Sequence, residues 1–368
     1  FKQEKIMKKT GFYNQHKELN AKMVSFAGFE MPIQYPKGII YEHKLVRNAV
    51  GVFDVTHMGE FFVQGPDALN LVQKLITNDA SKLEIGQVLY TAMCYENGGI
   101  VDDLLTYKLA DDYFMLVVNG SNVDKDFAWV EKNAAGFNCE IRNESDEYLL
   151  LAVQGPKSKD TIKKLTDCNL DNMEFYHFAD NQKFAGVTAI VSRTGYTGEL
   201  GYELYFKGGE KEAKQVWDAI MEAGAEYGIE AVGLGCRDTL RLEKGYALYG
   251  NDIDQDTNPI EAGLGWITKL TKEDFNGRDV LEKVKAENPN RRLIGFKVNA
   301  DRFIARHGYK IFKGEEEIGF VTSGNLSPSL EVPIGMGYVK WDYKDPETEI
   351  EIEARGKKFP ATVKKMPM

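Results

Sequence analysis

Cysteine and histidine are scarce, and their placement argues against several functions. Cys94, Cys139, Cys168 and Cys236 form no CxxC pair, and the five histidines are dispersed rather than set at ligand spacing. A structural zinc site is therefore not expected, and reduced thiols in a cytoplasmic setting are. No uncharged apolar run approaches the roughly 18 residues of a membrane-spanning helix. Positive charge is also short: 46 Lys and Arg against 56 Asp and Glu leave a formal charge of −10. That balance opposes broad nucleic-acid binding, which needs a positive field, but leaves room for a local basic pocket. Gly233-Leu234-Gly235 continues with Asp238 where GxGxxG needs its third glycine, and GxxxxGK[ST] and GxSxG are missing. A dinucleotide fold, a P-loop and a serine hydrolase are thereby disfavoured. Phe1 to Lys9 has neither a long apolar core nor an Arg/Ser-rich presequence, and Met7 is a candidate natural start.

What the chain does contain is a globular mixture, 43% hydrophobic and 28% charged over 368 residues, enough for two or three domains. Phe62-Val63-Gln64-Gly65-Pro66 leads into a segment ending Leu71 to Leu75, and Ala152-Val153-Gln154-Gly155-Pro156 leads into one ending Ile162 to Leu165. Each reads as a strand, a glycine stop and a helix with proline in its first position. The alternatives are a structural duplication and a chance recurrence of a common pattern. Between the two, Val88 to Tyr95 and Ile100 to Leu109 read as strands joined by a turn at Glu96-Asn97-Gly98-Gly99. A further strand is expected from Tyr113 to Asn119 and a helix from Glu210 to Tyr227. From Arg291 onward, short strands near 293–298, 317–322, 334–339, 348–354 and 359–364 predict a small all-β barrel or sandwich. Lys283 to Pro289 is the expected boundary.

Three places carry candidate chemistry. In the strand after Gly99, alternation puts Val101, Asp103, Leu105, Tyr107 and Leu109 on one face. That face is apolar apart from its aspartate, so Asp103 is expected to point into a core or cleft and Asp102 to lie on the mixed face. A buried carboxylate needs a hydrogen-bond partner, a raised pKa or a cationic ligand; the alternative is a turn aspartate bonded to nearby backbone. In Gly233 to Glu243, Asp238 can reach Arg241, which leaves Arg237 needing an anion: either a ligand carboxylate or a tertiary salt bridge. In Arg193 to Glu203, glycines at 195, 198 and 201 allow unusual angles or close approach. The strand that follows sets Tyr202, Leu204 and Phe206 against Glu203 and Tyr205. Glu203 could accept two hydrogen bonds from an amidine-like ring edge on which Tyr196 stacks; the alternative is an ordinary glycine-rich hairpin.

Taken with Phe26-Ala27-Gly28-Phe29-Glu30-Met31-Pro32, Phe53-Asp54-Val55-Thr56-His57-Met58-Gly59-Glu60, Leu248 to Asp254 and Thr322 to Leu330, these stretches resemble the glycine-cleavage aminomethyltransferase (T-protein) family from Lys9 to about Lys365. Seven motifs in order make the resemblance specific. It implies an α+β fold of three domains in a cloverleaf-like arrangement around a central folate channel, with a C-terminal all-β barrel. The corresponding division is 7–285 for the folate-binding region, as two interleaved α+β domains, and 291–368 for the barrel. It implies Asp103 as the catalytic aspartate, Glu203 as the pterin-binding glutamate, Tyr196 as the stacking ring and Arg237 as the substrate-binding arginine. Met58, Tyr90, Asn119, Tyr246 and Trp266 match positions lining the family's channel. Family members often continue past the last strand into a tail that places an Arg or Tyr against the folate; the sequence stops at Met366-Pro367-Met368, so that contact is expected to be absent or made elsewhere.

The same resemblance implies tetrahydrofolate as co-substrate, no metal, and the lipoylated H-protein as partner, with no nucleic acid and no membrane. The reaction so implied moves a one-carbon unit from the aminomethyl-lipoyl arm to tetrahydrofolate, giving 5,10-methylenetetrahydrofolate, ammonia and dihydrolipoyl H-protein. A folate-dependent demethylase is an alternative, as is a non-enzymatic folate-binding protein of the iron–sulfur maintenance type. Against the latter, Asp274-Phe275-Asn276-Gly277-Arg278 lacks the cysteine of that group's Lys-Gly-Cys-Tyr-x-Gly-Gln segment.

Overall fold

The computed structural model describes residues 7–300 and 302–368, so the segment ahead of the candidate start at Met7 lies outside the described residues. The described residues form two compact units, one of 7–70, 82–89 and 105–237, the other of 71–81, 90–104 and 238–368. Among the described residues no helix is long and apolar enough to cross a membrane.

The recurrence in the sequence is a duplication in the structure. One copy runs Gly59–Gln64, helix Ala68–Leu75, then strands Val88–Cys94, Ile100–Ala110 and Tyr113–Val118. The other runs Tyr148–Gln154, helix Ser158–Ile162, then Phe178–Phe184, Val187–Ser192 and Gly201–Lys207. In each sheet the three later strands follow one another and the first strand pairs with the last of them, so the two orders are the same. The outer ends of Val88–Cys94 and Ile100–Ala110 belong to the second unit.

Gly65 and Gly155 sit at the same point of the repeat with φ of +134° and +126°. A Cβ at Gly65 would lie 2.8 Å from the Asn138 carbonyl, and one at Gly155 2.4 Å from that of Ala49, so only glycine fits either corner. The prolines that follow do not open the helices, as the sequence suggests they should. The N–H groups of Ala68 and Ser158 each bond back to the glycine carbonyl, both at 2.9 Å, which makes Gly-Pro a tight turn with proline second. Each helix starts at the fourth residue of that turn, two positions past the proline. The second is short, and Leu165 lies beyond its end.

Alternation along Gly201–Lys207 holds as read. Tyr202, Leu204 and Phe206 join Leu149, Leu151 and Val153 in a core closed by Val216, Trp217 and Ile220 of the helix Glu210–Gly224. Glu203 and Tyr205 therefore point the other way.

In the second unit, Arg291–Val298, Val332–Lys340, Glu316–Ser327, Lys310–Lys313, Glu349–Ala354 and Lys357–Lys364 close, in that order, into a barrel. Five of the six strands match the expected ones; Lys310–Lys313 is too short for its alternation to register. Ile294, Phe296, Ile311, Val321, Ile352 and Val363 fill the interior. The expected boundary is partly helical, since Lys283 to Glu287 complete the helix Arg278–Glu287.

Arg241, 1% exposed, ties the end of the helix Leu234–Glu243 to the barrel. Its guanidinium donates to Asp238 at 2.9 Å, to Asp252 at 2.6 Å, to Ser323 Oγ at 2.9 Å and to the Tyr246 carbonyl at 3.1 Å. Asp252 in turn accepts from Thr322 at 2.5 Å and Ser323 at 2.8 Å. Glu243 accepts from Ser327 at 2.5 Å and from Ser329 Oγ at 2.9 Å. The Thr322 to Leu330 motif is therefore a clasp on the acids of this unit. Removing one partner of such a buried pair strands the other's charge, at a cost of about 3–5 kcal/mol. Asp252→Ala is expected to lower unfolding stability by that amount in urea titration, and a loss within 1 kcal/mol, as is usual for a surface pair, contradicts this role.

Candidate functional site

In the first unit the site grows out of the loop 193–200 and the strand Gly201–Lys207. Gly198 takes φ +74°. Gly195 and Gly201 lie so close to Gln154 that a Cβ on either would come within 2.2 Å of its amide. That amide donates to the Thr194 carbonyl at 3.2 Å and accepts from Thr197 at 2.8 Å, and Arg47 holds the Thr197 carbonyl at 2.6 Å. The glycines thus serve close packing at two positions and backbone angle at the third, and the loop is clipped in place.

Glu203, 7% exposed, has its two oxygens in different states. Oε2 accepts from Thr194 Oγ1 at 2.5 Å and from Tyr205 OH at 3.4 Å, while Oε1 has no hydrogen-bond partner among the described residues. Burial raises its pKa above the usual carboxylate value, against the opposing pull of the Thr194 bond, the Arg237 charge and the Tyr205 bond. Behind Glu203, the hydroxyls of Tyr107, Ser192, Thr194 and Tyr205 lie within hydrogen-bond reach of one another.

Arg237 sits in the first turn of the helix Leu234–Glu243, entered through Gly233 and Gly235, whose missing side chains let it pass the Ile33 carbonyl and Ile39. Its guanidinium lies 4.6 Å from the centre of the Tyr196 ring, the contact expected of a cation on an aromatic face. It makes no ion pair among the described residues, so the tertiary salt bridge that was the alternative reading is not found. Burial lowers its pKa, with Tyr196 and Glu203 opposing.

His57 is on the same electrostatic neighbourhood. It is buried, its Nδ1 has no hydrogen-bond partner among the described residues, and burial followed by the Arg237 charge push its pKa down to about 3. It is therefore a neutral imidazole. Asp54, three residues earlier, holds this stretch in place by accepting from Thr10 at 2.6 Å, from the Thr56 N–H at 3.0 Å and from His16 at 2.9 Å. Met58 follows His57 partly buried, and Asn119 caps the short turn Gly120–Asn122; neither is placed on Glu203 or Arg237 by a direct bond.

In the second unit, the Asn97-Gly98-Gly99 turn launches the strand that carries Asp103. Gly98 takes φ +84°, and a Cβ on Gly99 would lie 2.0 Å from the Gln255 carbonyl. Both faces of this strand are buried in part. Asp102, Leu104 and Thr106 are buried on one and Val101 and Tyr107 on the other, while Asp103 and Leu105 on that second face are only partly covered. Asp102, expected on the mixed face, is therefore the more deeply buried of the two aspartates. Asp103 accepts from Tyr90 OH at 2.9 Å, and the Tyr90 ring lies 5.9 Å from that of Trp266. Trp266 is 61% exposed and Tyr246 37%, so the two large rings present open surface. The structure groups Asp103, Tyr90 and Trp266 in one unit and Glu203, Tyr196 and Arg237 in the other.

Sequence reasoning gave no role to His57, Thr194, Tyr205 or Tyr107. The signal was present for two of them: Tyr205 shares the face of Glu203, and Thr194 lies inside the glycine-rich motif. Glu60 was also passed over. It is 1% exposed, its Oε2 has no hydrogen-bond partner among the described residues, and burial raises its pKa well above the ordinary value. Such a group stabilises the fold fully only below its unfolded pKa of about 4.3, and stability is lost as pH rises toward its folded value. Glu60→Gln is accordingly expected to raise the melting temperature relative to the parent, by a margin that widens from pH 5 to pH 8. A margin that is flat with pH contradicts a strained Glu60.

Comparison with known proteins gives a consistent family. The GCVT N-terminal domain model matches residues 12–272, and the glycine cleavage T-protein C-terminal barrel domain model matches residues 291–368. The chain is 52% identical over 361 residues to an aminomethyltransferase of Halothermothrix orenii, covering 98% of this chain and 99% of that one. It is 51% identical over 364 residues to an aminomethyltransferase of Bacteroides fragilis, with coverage of 98% and 99%. The crystal structure of glycine cleavage system aminomethyltransferase T from Bartonella henselae superposes with a TM-score of 0.91 at 36% identity, covering 98% of both chains.

Proposed function

The chain belongs to the glycine cleavage T-protein family and is an aminomethyltransferase, and from that premise we propose that it transfers the one-carbon unit of an aminomethyl-lipoyl arm, carried by H-protein, to tetrahydrofolate. Ammonia, 5,10-methylenetetrahydrofolate and the dihydrolipoyl partner are the products. Of the two pterin N–H protons displaced, one leaves with ammonia and one restores the lipoyl thiol. The free state of Cys94, Cys139, Cys168 and Cys236 accords with a reducing, cytoplasmic setting.

The observation that carries the reading is the half-anchored carboxylate of Glu203. With Oε2 held by two hydroxyls and Oε1 without a protein partner, it fits the paired N–H donors on the edge of a pterin ring. Arg237, set against the Tyr196 ring, offers a guanidinium to an anionic ligand group. Tetrahydrofolate supplies the nucleophilic nitrogen; the protein's residues bind, orient and stabilise charge. Met58, Asn119, Tyr246 and Trp266 are assigned to binding on the strength of the family match alone.

Asp103 is assigned the chemical step. Transfer of the carbon passes through a cationic, iminium-like species, and a fixed carboxylate lowers the energy of that charge most where water is excluded. Tyr90, donating to Oδ2, fixes the orientation of the carboxylate. Asp103→Asn keeps the shape and the Tyr90 contact but removes the charge. Its expected result is a fall in turnover of about 100-fold or more, the usual loss for a transition-state electrostatic group, with the dissociation constant for tetrahydrofolate within a few-fold of the parent. Turnover near the parent value removes Asp103 from the mechanism.

A further inference from the structure

The hydroxyls behind Glu203 form a set whose protons can be counted. Tyr107 OH lies 3.0 Å from Tyr205 OH, 3.1 Å from Ser192 Oγ and 3.4 Å from Thr194 Oγ1, and Ser192 lies 3.0 Å from Thr194. All four residues are buried. Each hydroxyl has one proton to give and two lone pairs to accept with. An ionised Glu203 is best served when Thr194 and Tyr205 both donate to Oε2. That leaves Tyr107 and Ser192 as the only members with protons for the Tyr205 and Thr194 oxygens.

Tyr205 is the member with a choice. Among the described residues its hydroxyl has two hydrogen-bond neighbours, Tyr107 at 3.0 Å and Glu203 at 3.4 Å. If Tyr205 donates to Tyr107, the carboxylate keeps one donor; if Tyr107 donates to Tyr205, it has two. The direction of the Tyr107 proton decides which. Tyr107 comes from the sister sheet of the duplication. Tyr107 pairs with Met115 and Ser192 with Glu203, so Tyr107 and Ser192 occupy the same place in the two copies and meet hydroxyl to hydroxyl.

We propose that Tyr107 is a positioning residue for Glu203: by donating to Tyr205 it turns that hydroxyl onto Oε2 and so holds Oε1 in the direction of the ligand. The proposal rests on Glu203 being the acceptor for the pterin edge. It carries a consequence for pH, because donors to a carboxylate favour its ionised form. Arg237 acts on Glu203 from the helix Leu234–Glu243, Tyr205 from its own strand and Thr194 from the loop before it; Glu60 lies within electrostatic range of Tyr205. With those groups unchanged, loss of the Tyr107 proton makes Glu203 titrate at higher pH, and affinity that needs its carboxylate fails earlier as pH is lowered.

The test is tetrahydrofolate binding from pH 5 to 8 by anaerobic titration calorimetry, with steady-state kinetics at saturating folate, on the parent, Tyr107→Phe, Ser192→Ala and Glu203→Gln. Tyr107→Phe keeps the ring and its packing. It is expected to weaken binding about 5-fold at neutral pH, as for loss of one net hydrogen bond, to leave kcat within 2-fold, and to move the acid limb of binding to higher pH. Ser192→Ala is expected to move the limb the same way through Thr194, and Glu203→Gln to weaken binding and abolish the limb. If Glu203→Gln weakens binding but Tyr107→Phe leaves affinity and acid limb in place, or only lowers the melting temperature, the positioning role is overturned. A limb that persists in Glu203→Gln belongs to another group and overturns it equally. If Glu203→Gln binds as the parent does, it is the assignment of Glu203 to the pterin that falls.

Discussion

A charge withdrawn from water without a direct ion pair is costly, and the first unit holds two such charges, each within electrostatic range of the other. Glu203 is buried and Arg237 largely so, and neither forms an ion pair among the described residues. The protein meets part of the cost with neutral groups, two hydroxyls on one oxygen of Glu203 and an aromatic face under Arg237. On the proposed reading a ligand supplies the remainder. Arg241, one turn further along the same helix, has the opposite fate: two aspartates, a serine and a carbonyl satisfy it. One helix thus carries an arginine held by ion pairs and, four residues away, one that makes no ion pair among the described residues.

The duplication explains how such a wall arises. Two sheets of the same strand order provide equivalent positions, and the site appears where the copies differ. The strand position that holds Met115 in one copy holds Glu203 in the other. Tyr107 and Ser192, equivalent in the copies, meet at one point and buttress that carboxylate.

Much of this could be read from the chain. The hairpin around Asn97-Gly98-Gly99, the strand faces at Glu203, the Asp238–Arg241 pair and the terminal barrel all rest on local signals, and all are present. The repeat was legible as a recurrent Gly-Pro corner. What failed had non-local causes. The burial of Asp102 and Thr106 was not legible in the strand through Asp103, because alternation marks a polar face as exposed, whereas both faces of this strand are partly buried. Whether Arg237 was paired could not be read, since the answer depends on every acid in the fold. Tyr107 was invisible as a partner of Glu203, because the contact to Tyr205 spans 98 residues.

The account stands or falls on the transfer itself. The direct measurement mixes the purified chain with tetrahydrofolate and aminomethylated H-protein under single-turnover conditions and follows ammonia and 5,10-methylenetetrahydrofolate together. The two products are expected to appear at equal rates and in equal amounts, and only when all three components are present. Folate binding without ammonia release would contradict the account and leave the chain a folate-binding protein with no transfer activity.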